Sequence, residues 1–179
     1  MIGITGQTGA GKSFVGELLR KRNFCVMDAD FSVHQLYCQN AELRESIARE
    51  FGPEALTESG VNRKFFAELI FKESAARVRL ESLVYPVLTE YVIRKSPDFV
   101  EAALFENVPE IVESLEEIWV VRAPFDVRLL RLVNQRNFSR EDALRRMELQ
   151  KNKETRESWR LLFPRKKLRF IENNGNSPP

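Results

Sequence analysis

The chain has 179 residues, with 28 Lys or Arg and 26 Asp or Glu, and a formal net charge of +2. These totals are typical of one globular domain, or one domain with a large insertion, and argue against a dedicated nucleic-acid binder. No run approaches the roughly 18 apolar residues of a membrane span, so no membrane partner is expected. Cys25 and Cys38 lack metal-ligand spacing, and no leader precedes the first motif. We therefore expect a cytoplasmic protein with reduced thiols.

A phosphate-binding loop begins the chain. Residues 6–13 match G-x-x-x-x-G-K-[ST], a pattern that surrounds nucleotide phosphates with main-chain N–H groups, a lysine and a hydroxyl. The apolar run at 2–5 predicts a buried strand before the loop. Helical spacing at 14–22 places the loop at a helix N-terminus, where the dipole favours anions. Lys12 is predicted to contact the β- and γ-phosphates, and Ser13 to bind Mg²⁺. The predicted nucleotide-binding set is Gly6, Gly9, Ala10, Gly11, Lys12, Ser13 and Phe14.

Two carboxylates follow the second predicted strand. The apolar residues 24–27 indicate a strand that leads into Asp28 and Asp30. Ligands of parallel α/β sheets bind at the carboxyl ends of the strands. One carboxylate could orient a hydroxyl nucleophile or take its proton, and the other could hold Mg²⁺ through water. Alternatively, Asp30 only caps the helix predicted at 31–38, and spacing alone does not decide between the two.

Residues 40–95 are predicted to be almost entirely helical. Asn40 and Asn62 are predicted to cap two of the helices, and Pro86 to kink a third or to begin another. This block is longer than one β-α-β crossover requires. The block can be an insertion that forms a substrate-binding wall, although its apolar faces can equally belong to the core.

Three further strands complete the predicted sheet. Residues 99–105 indicate a third strand. It places Glu106 at the carboxyl edge of the sheet, where Asp28 and Asp30 are also predicted. Residues 118–121 form the clearest strand, continuous and β-branched as buried parallel strands are, and 168–171 indicate the last. The order predicts an α/β domain with a mostly parallel five-stranded sheet and helices on both faces, and a tail at 176–179.

Several arginines surround a break between two predicted helices at about 134–152. A helix–loop–helix of this kind suits a lid that closes over nucleotide phosphates, neutralises their charge and excludes water. Ser139 begins a capping box for the second helix, which is predicted to run to about 152. The arginines are Arg131, Arg136, Arg140, Arg145 and Arg146. For Arg145 and Arg146 the better interpretation is a solvated charged face.

Taken together, these motifs resemble the dephospho-coenzyme A (dephospho-CoA) kinases, which are P-loop kinases. Residues 26–30 match the family's V-I-D-A-D, and residues 80–86 match its L-E-x-L-x-H-P except at Tyr85. The other matching segments are 2–13, His34-Gln35-Leu36, 104–106, 135–136, 139–141, Gln150 and 170–175. The resemblance covers nearly the whole chain and implies a single P-loop kinase domain over 1–179, a three-layer sandwich of the P-loop NTPase type.

The resemblance implies ATP-dependent phosphorylation of the ribose 3′-hydroxyl of dephospho-CoA, with Mg²⁺ as cofactor. By the same resemblance Asp30 is the base, and Lys12 and Ser13 bind phosphate and Mg²⁺. Arg136 and Arg140 are the implied catalytic arginines of the lid. The implied acceptor-binding residues are Asp28, His34, Tyr85 and Glu106, and the resemblance implies that the helical block at about 60–95 is an acceptor-binding insertion.

Several positions depart from the family pattern. Tyr85 replaces a histidine, which keeps a hydrogen-bonding group but loses its proton chemistry, and Arg169 stands where Asp is usual. Phe14 replaces Thr, residues 102–103 replace Pro-Leu, and the sequence ends in Pro-Pro where the family usually continues into a further helix. Two other functions stay open: another small-molecule P-loop kinase with a nucleoside or nucleotide acceptor, and a nucleotide-binding homologue with weakened or no turnover.

Overall fold

A computed structural model describes residues 1–175, so the tail predicted at 176–179 lies outside the described residues. The chain divides into two compact units. The first combines Met1–Met27 with the residues from Ser96 onward, and the second is Asp28–Lys95. No helix within residues 1–175 is both long enough and apolar enough to cross a bilayer.

Strands and helices alternate along the first unit, and helices dominate the second. The strands are β1 (Ile2–Gly6), β2 (Val26–Asp28), β3 (Leu56–Thr57), β4 (Gly60–Val61), β5 (Phe99–Glu101), β6 (Glu117–Arg122) and β7 (Lys167–Glu172). The helices are α1 (Lys12–Arg20), α2 (Ala29–Gln39), α3 (Ala41–Phe51), α4 (Arg63–Lys72), α5 (Ser74–Lys95), α6 (Pro109–Ser114), α7 (Phe125–Arg136), α8 (Arg140–Glu148) and α9 (Arg156–Leu162).

A five-stranded sheet in the order β2-β5-β1-β6-β7 confirms the predicted α/β architecture. β1 pairs in parallel with β5 and β6, and β6 pairs in parallel with β7. The central strands are apolar because both of their faces are covered: Ile4, Ile118 and Val120 are fully buried. Since the strands are parallel, their carboxyl ends lie at one edge, where β1 runs into the phosphate-binding loop.

The strand predicted at 99–105 is wrong in extent, because β5 ends at Glu101. The chain then turns through a short 3₁₀ segment at Phe105–Asn107, in which Phe105 is fully buried. Apolar character alone could not separate a buried strand from a buried turn. As a result, the acid at the end of this strand is Glu101 and not Glu106.

Capping residues set several helix ends as predicted. The side chains of Asn40, Asn62 and Ser139 accept hydrogen bonds from the first turns of α3, α4 and α8. α8 nevertheless ends at Glu148, before the predicted 152, and α9 was not predicted. Pro86 lies inside the single long helix α5, whose buried side recurs every four residues.

Arg169, one of the departures from the family pattern, has a local role in the sheet. Its Nε donates to Glu117 Oε1 at 2.7 Å, and its guanidinium lies 5.6 Å from the ring centroid of Trp119. Lys167 Nζ donates to the other oxygen of Glu117, also at 2.7 Å. These contacts lower the pKa of Glu117, first through the Lys167 hydrogen bond. Arg169 therefore joins β7 to β6.

Candidate active site

The phosphate-binding loop depends on glycines that adopt left-handed backbone conformations. Gly9 has φ 80°, and Gly11, which is the N-cap of α1, has φ 96°. A Cβ at Gly9 would lie 2.8 Å from the carbonyl oxygen of Arg128, closer than real Cβ atoms approach. Any other residue would therefore clash there as well as strain the backbone. The loop leads directly into the N-terminus of α1, a position suited to anions.

The polar side chains of the loop point to phosphate and cation chemistry. Lys12 Nζ donates to the carbonyl oxygen of Gly6 at 3.0 Å, so its ammonium lies over the loop. Ser13 Oγ donates to Glu101 Oε1 at 2.8 Å, and Glu101 is 5% exposed. A hydroxyl beside a buried carboxylate offers the oxygen donors that suit Mg²⁺, so these two residues would hold the ion. No cluster of three or more His, Cys, Asp or Glu able to hold a metal occurs within residues 1–175.

A pair of side chains from distant elements holds the loop from outside. Arg131 Nη1 donates to the carbonyl oxygens of Gly9 and Ala10 at 3.3 and 3.1 Å. Its Nη2 donates to the main-chain and side-chain oxygens of Asn173 at 3.2 and 3.0 Å. Asn173 Nδ2 donates in turn to the Ala10 carbonyl at 3.0 Å. Arg131, counted among the lid arginines in the sequence, therefore supports the loop's carbonyl side.

The end of the predicted lid also contacts the loop. Gln150 follows α8, and its Oε1 accepts a hydrogen bond from the Thr8 main-chain N–H at 2.7 Å. Gln7 Nε2 donates to the Gln150 carbonyl at 3.5 Å. These hydrogen bonds connect the segment after α8 to Gln7 and Thr8, the second and third residues of the G-x-x-x-x-G-K-[ST] pattern.

The two arginines predicted to act in the lid flank the break between α7 and α8. Arg136 is the last residue of α7 and Arg140 the first of α8, and both are exposed. Between them Asn137 turns the chain with φ 55°. Arg145 is paired with Asp142 at 3.1 Å and its side chain is 74% exposed, as expected of a solvated face.

The carboxylates after β2 have different local roles. Asp28 Oδ1 accepts a hydrogen bond from the Phe31 N–H at 3.0 Å, so Asp28 and not Asp30 is the N-cap of α2. This removes the alternative that Asp30 serves as the cap. Asp30 lies in the first turn of α2, is exposed, and lines a cavity within the second unit.

That cavity has a volume of about 590 Å³ and is built by α2, α4 and α5. This volume falls within the range of small-molecule sites. Four aliphatic side chains form part of its wall: Val33, Ile70, Leu80 and Val84. Its polar lining is Asp30, Tyr37, Arg63, Arg77, Glu81 and Tyr85. The predicted acceptor residue Tyr85 thus shares one cavity with Asp30.

Burial and neighbouring groups raise the pKa values of two side chains in this cavity, Tyr37 and Arg77. Burial raises the pKa of Tyr37 to about 12, with a further contribution from Tyr85 and an opposing one from the Arg63 charge. Arg77 Nε donates to Glu81 Oε1 at 2.8 Å, and this bond raises the pKa of Arg77 further above its usual range. The hydroxyl of Tyr85 acts on the Arg77 pKa in the same direction. Tyr37 therefore keeps its proton at neutral pH, and Arg77 is already paired.

The other two predicted acceptor residues lie elsewhere. His34 is exposed on α2 and is not among the residues that line the cavity. Glu106 belongs to the first unit, where it forms an ion pair with the buried Lys153. The Lys153 ammonium also lies 5.6 Å from the ring centroid of Trp159. A contact of His34 or Glu106 with an acceptor stays a prediction, as does the nucleotide contact of Phe14, which is 43% exposed.

Sequence reasoning missed Glu101, Asn173, Tyr37 and Arg63. Glu101 could have been found as the first acid to interrupt the apolar run of β5. The other three carry no local motif, since their partners lie on elements distant in sequence.

Known proteins are similar to this chain over most of its length. A family model described as dephospho-CoA kinase matches residues 1–163. The dephospho-CoA kinase of Staphylococcus epidermidis is 31% identical over 157 residues, which cover 82% of this chain and 76% of that protein. A solved structure from Thermus thermophilus is similar with a TM-score of 0.73 and 29% identity, over 98% of this chain and 88% of that one. The dephospho-CoA kinase structure from Campylobacter jejuni, 22% identical with a TM-score of 0.65, covers the same shares and supports the fold.

Proposed function

The chain belongs to the dephospho-CoA kinase family, whose reaction is the ATP-dependent phosphorylation of dephospho-CoA in CoA biosynthesis, and we propose that it transfers the γ-phosphoryl group to the ribose 3′-hydroxyl. The observation that carries this proposal is the presence in one chain of a complete phosphate-binding loop and of a cavity that contains Asp30. In this proposal the loop binds ATP and the cavity binds the acceptor. Both units then belong to one kinase domain, with residues 60–95 in the acceptor-binding insertion and 134–152 in the lid.

The proposed chemistry is an in-line transfer with a general base. The Asp30 carboxylate accepts the proton of the 3′-hydroxyl while that oxygen bonds to the γ-phosphorus. The bond between the γ-phosphorus and the β,γ-bridging oxygen breaks, and ADP leaves with the electron pair. The products are CoA, ADP and a protonated Asp30, which returns its proton to solvent.

Residues of the loop stabilise the charge on the phosphates. The main-chain N–H groups of the loop and the Lys12 ammonium bind the β- and γ-phosphate oxygens. Ser13 and Glu101 would hold Mg²⁺, which neutralises phosphate charge when it is bound. The 2.8 Å hydrogen bond between Ser13 Oγ and Glu101 Oε1 supports this assignment.

Arg136 and Arg140 complete the proposed site from the lid. Their exposed positions on either side of the α7–α8 break leave both guanidinium groups able to reach an anionic ligand when the lid closes. Closure would also exclude water, which favours transfer to the acceptor over hydrolysis of ATP. The proposed location is the cytoplasm, where Cys25 and Cys38 remain free thiols.

The direct test is turnover by the purified protein. With ATP, Mg²⁺ and dephospho-CoA, we expect equal amounts of ADP and CoA, and we expect ATP alone to be stable. A panel of nucleosides and nucleotides should give far lower rates as acceptors. Preferred phosphorylation of another acceptor, or ATP binding by folded protein without any product, would overturn the assignment.

A further inference from the structure

The acceptor cavity contains a cation that the proposed transfer step does not use. We infer that Arg63 binds the 5′-diphosphate of the acceptor and so sets the affinity of the cavity for dephospho-CoA. This inference rests on the proposed function, because it takes the acceptor ribose to lie at Asp30 in the same cavity.

Charge pairing distinguishes the two arginines of the cavity. Arg77 is hydrogen-bonded to Glu81 at 2.8 Å, so its charge is compensated within α5. Arg63 is the first residue of α4 and is exposed, and no carboxylate in the described part of the chain forms an ion pair with it. A cation that lines a cavity without a protein counter-ion is well placed to receive an anionic ligand.

The distribution of charge also fixes the direction in which the acceptor binds. Asp30 and Arg63 line the same cavity with opposite charges. A diphosphate at Asp30 would be repelled, whereas a ribose hydroxyl at Asp30 can donate a hydrogen bond to the carboxylate. Aliphatic side chains such as Val33 and Leu80 give the cavity wall an apolar surface for the adenine ring of the acceptor. The hydroxyl is therefore expected at Asp30 and the diphosphate at Arg63.

Tyr37 strengthens the anion-binding side of the cavity. Tyr37 also lines the cavity, and its phenol O–H can donate a hydrogen bond to a phosphate oxygen. A guanidinium presents a planar fork of N–H donors that matches two phosphate oxygens better than an ammonium does.

The test replaces the charge at 63 stepwise in the full-length protein, with variants Arg63→Lys, Arg63→Gln and Arg63→Glu. Lys64→Gln and Lys64→Glu are matched controls, since Lys64 is exposed on the same turn and does not line the cavity. The measurements are KM for dephospho-CoA and for ATP, kcat, and the Kd of dephospho-CoA by calorimetry without ATP. KM for dephospho-CoA is also measured as a function of NaCl concentration.

We expect Arg63→Gln to raise KM and Kd for dephospho-CoA by about 10- to 100-fold, the loss of one charge-assisted contact. Arg63→Glu should be worse and Arg63→Lys better, while kcat and KM for ATP stay within about twofold. The salt dependence should weaken in Arg63→Gln, because the charge responsible for it is gone. The Lys64 variants should behave as wild type.

Two results would overturn the inference: a Kd for dephospho-CoA within about twofold of wild type in both Arg63→Gln and Arg63→Glu, or an equal rise in KM for ATP. Failure of the proposed function is a separate outcome. It would appear as wild-type protein that makes no CoA, whereas the calorimetric Kd tests Arg63 without any turnover.

Discussion

The phosphate-binding loop holds its shape through main-chain atoms, whereas the cavity of the second unit presents side chains from three helices. In the loop, Gly9 and Gly11 set the backbone, and Arg131 and Asn173 fix the carbonyls of residues 9–10. In the cavity, the polar lining includes Asp30, Arg63 and Tyr85, each on a different helix. Because a helix tolerates most side chains at a cavity position, the cavity can change residue by residue, whereas the loop glycines cannot be replaced without strain.

One departure from the family pattern lies in the cavity. Tyr85 replaces a histidine in the cavity, and its hydroxyl acts on Arg77. Residues 6, 9, 11, 12 and 13 of the loop keep the pattern without change. The following predictions compare the two regions, because each variant changes the loop or the cavity and leaves the other intact.

The largest effect is expected from Asp30→Asn, which removes the proposed base but keeps the size of the side chain. We expect kcat to fall by about 10²- to 10⁴-fold, the usual contribution of general-base catalysis, with ATP affinity unchanged. Stopped-flow or coupled-assay kinetics and ATP calorimetry measure the two quantities. Glu42→Gln, in the first turn of α3, is the matched control and should retain full activity. Turnover near wild type in Asp30→Asn would exclude Asp30 as the base.

Glu101→Gln should have the next largest effect, on the metal side of the loop. The amide keeps a hydrogen-bonding oxygen near Ser13 but loses the charge that favours Mg²⁺. We expect the half-saturating Mg²⁺ concentration to rise about 10- to 100-fold, with KM for dephospho-CoA unchanged. A Mg²⁺ titration of the rate at saturating ATP makes the measurement, with the exposed Glu110→Gln as control. An unchanged Mg²⁺ requirement would mean that Glu101 serves only to hold Ser13.

Arg131→Gln tests whether the hydrogen bonds from Arg131 to the loop carbonyls help to position the nucleotide. Glutamine cannot reproduce the four hydrogen bonds of the guanidinium, so the loop carbonyls lose their common donor. We expect KM for ATP to rise about tenfold and the free energy of unfolding to fall by about 2 kcal/mol. Arg145→Gln, an exposed arginine of the neighbouring helix, should change neither. An equal rise in both substrate KM values would instead indicate a general loss of structure.

The smallest effect is a pH dependence that belongs to the cavity alone. The pKa of Tyr37 is about 12 in the folded chain against an ordinary value of 10.0. Between these values the folded state binds more protons than the unfolded state, so stability falls as the pH rises from 10 towards 12. Ultraviolet titration near 295 nm should show one late-titrating tyrosine that is missing in Tyr37→Phe. If Tyr37→Phe removes an early-titrating tyrosine instead, Tyr37 is not shielded from water.

Local sequence was sufficient where the physics is local. The loop pattern, the Asn40, Asn62 and Ser139 caps, and the β-branched run of β6 all act within a few residues, and each was predicted. The end of β5 was misplaced, because residues 102–105 are as apolar as the strand and only tertiary packing turns them away. For that reason the sequence pattern predicted Glu106, and not Glu101, at the carboxyl end of the strand. The hydrogen bonds between Arg131 and residue 173 could not be predicted either, since they join residues 42 positions apart in the sequence.

By itself, the sequence determined that this chain carries a nucleotide-phosphate loop on a parallel α/β sheet, because glycine spacing and strand periodicity encode both locally. Tertiary structure decided which side chains surround the loop and which share a cavity. It separated Asp28, a helix cap, from Asp30, a cavity residue, although the two are chemically equivalent and two positions apart. It also paired Arg77 with Glu81, whereas Arg63 forms no ion pair within residues 1–175. Such differences arise from helix packing between distant segments, which no local pattern records.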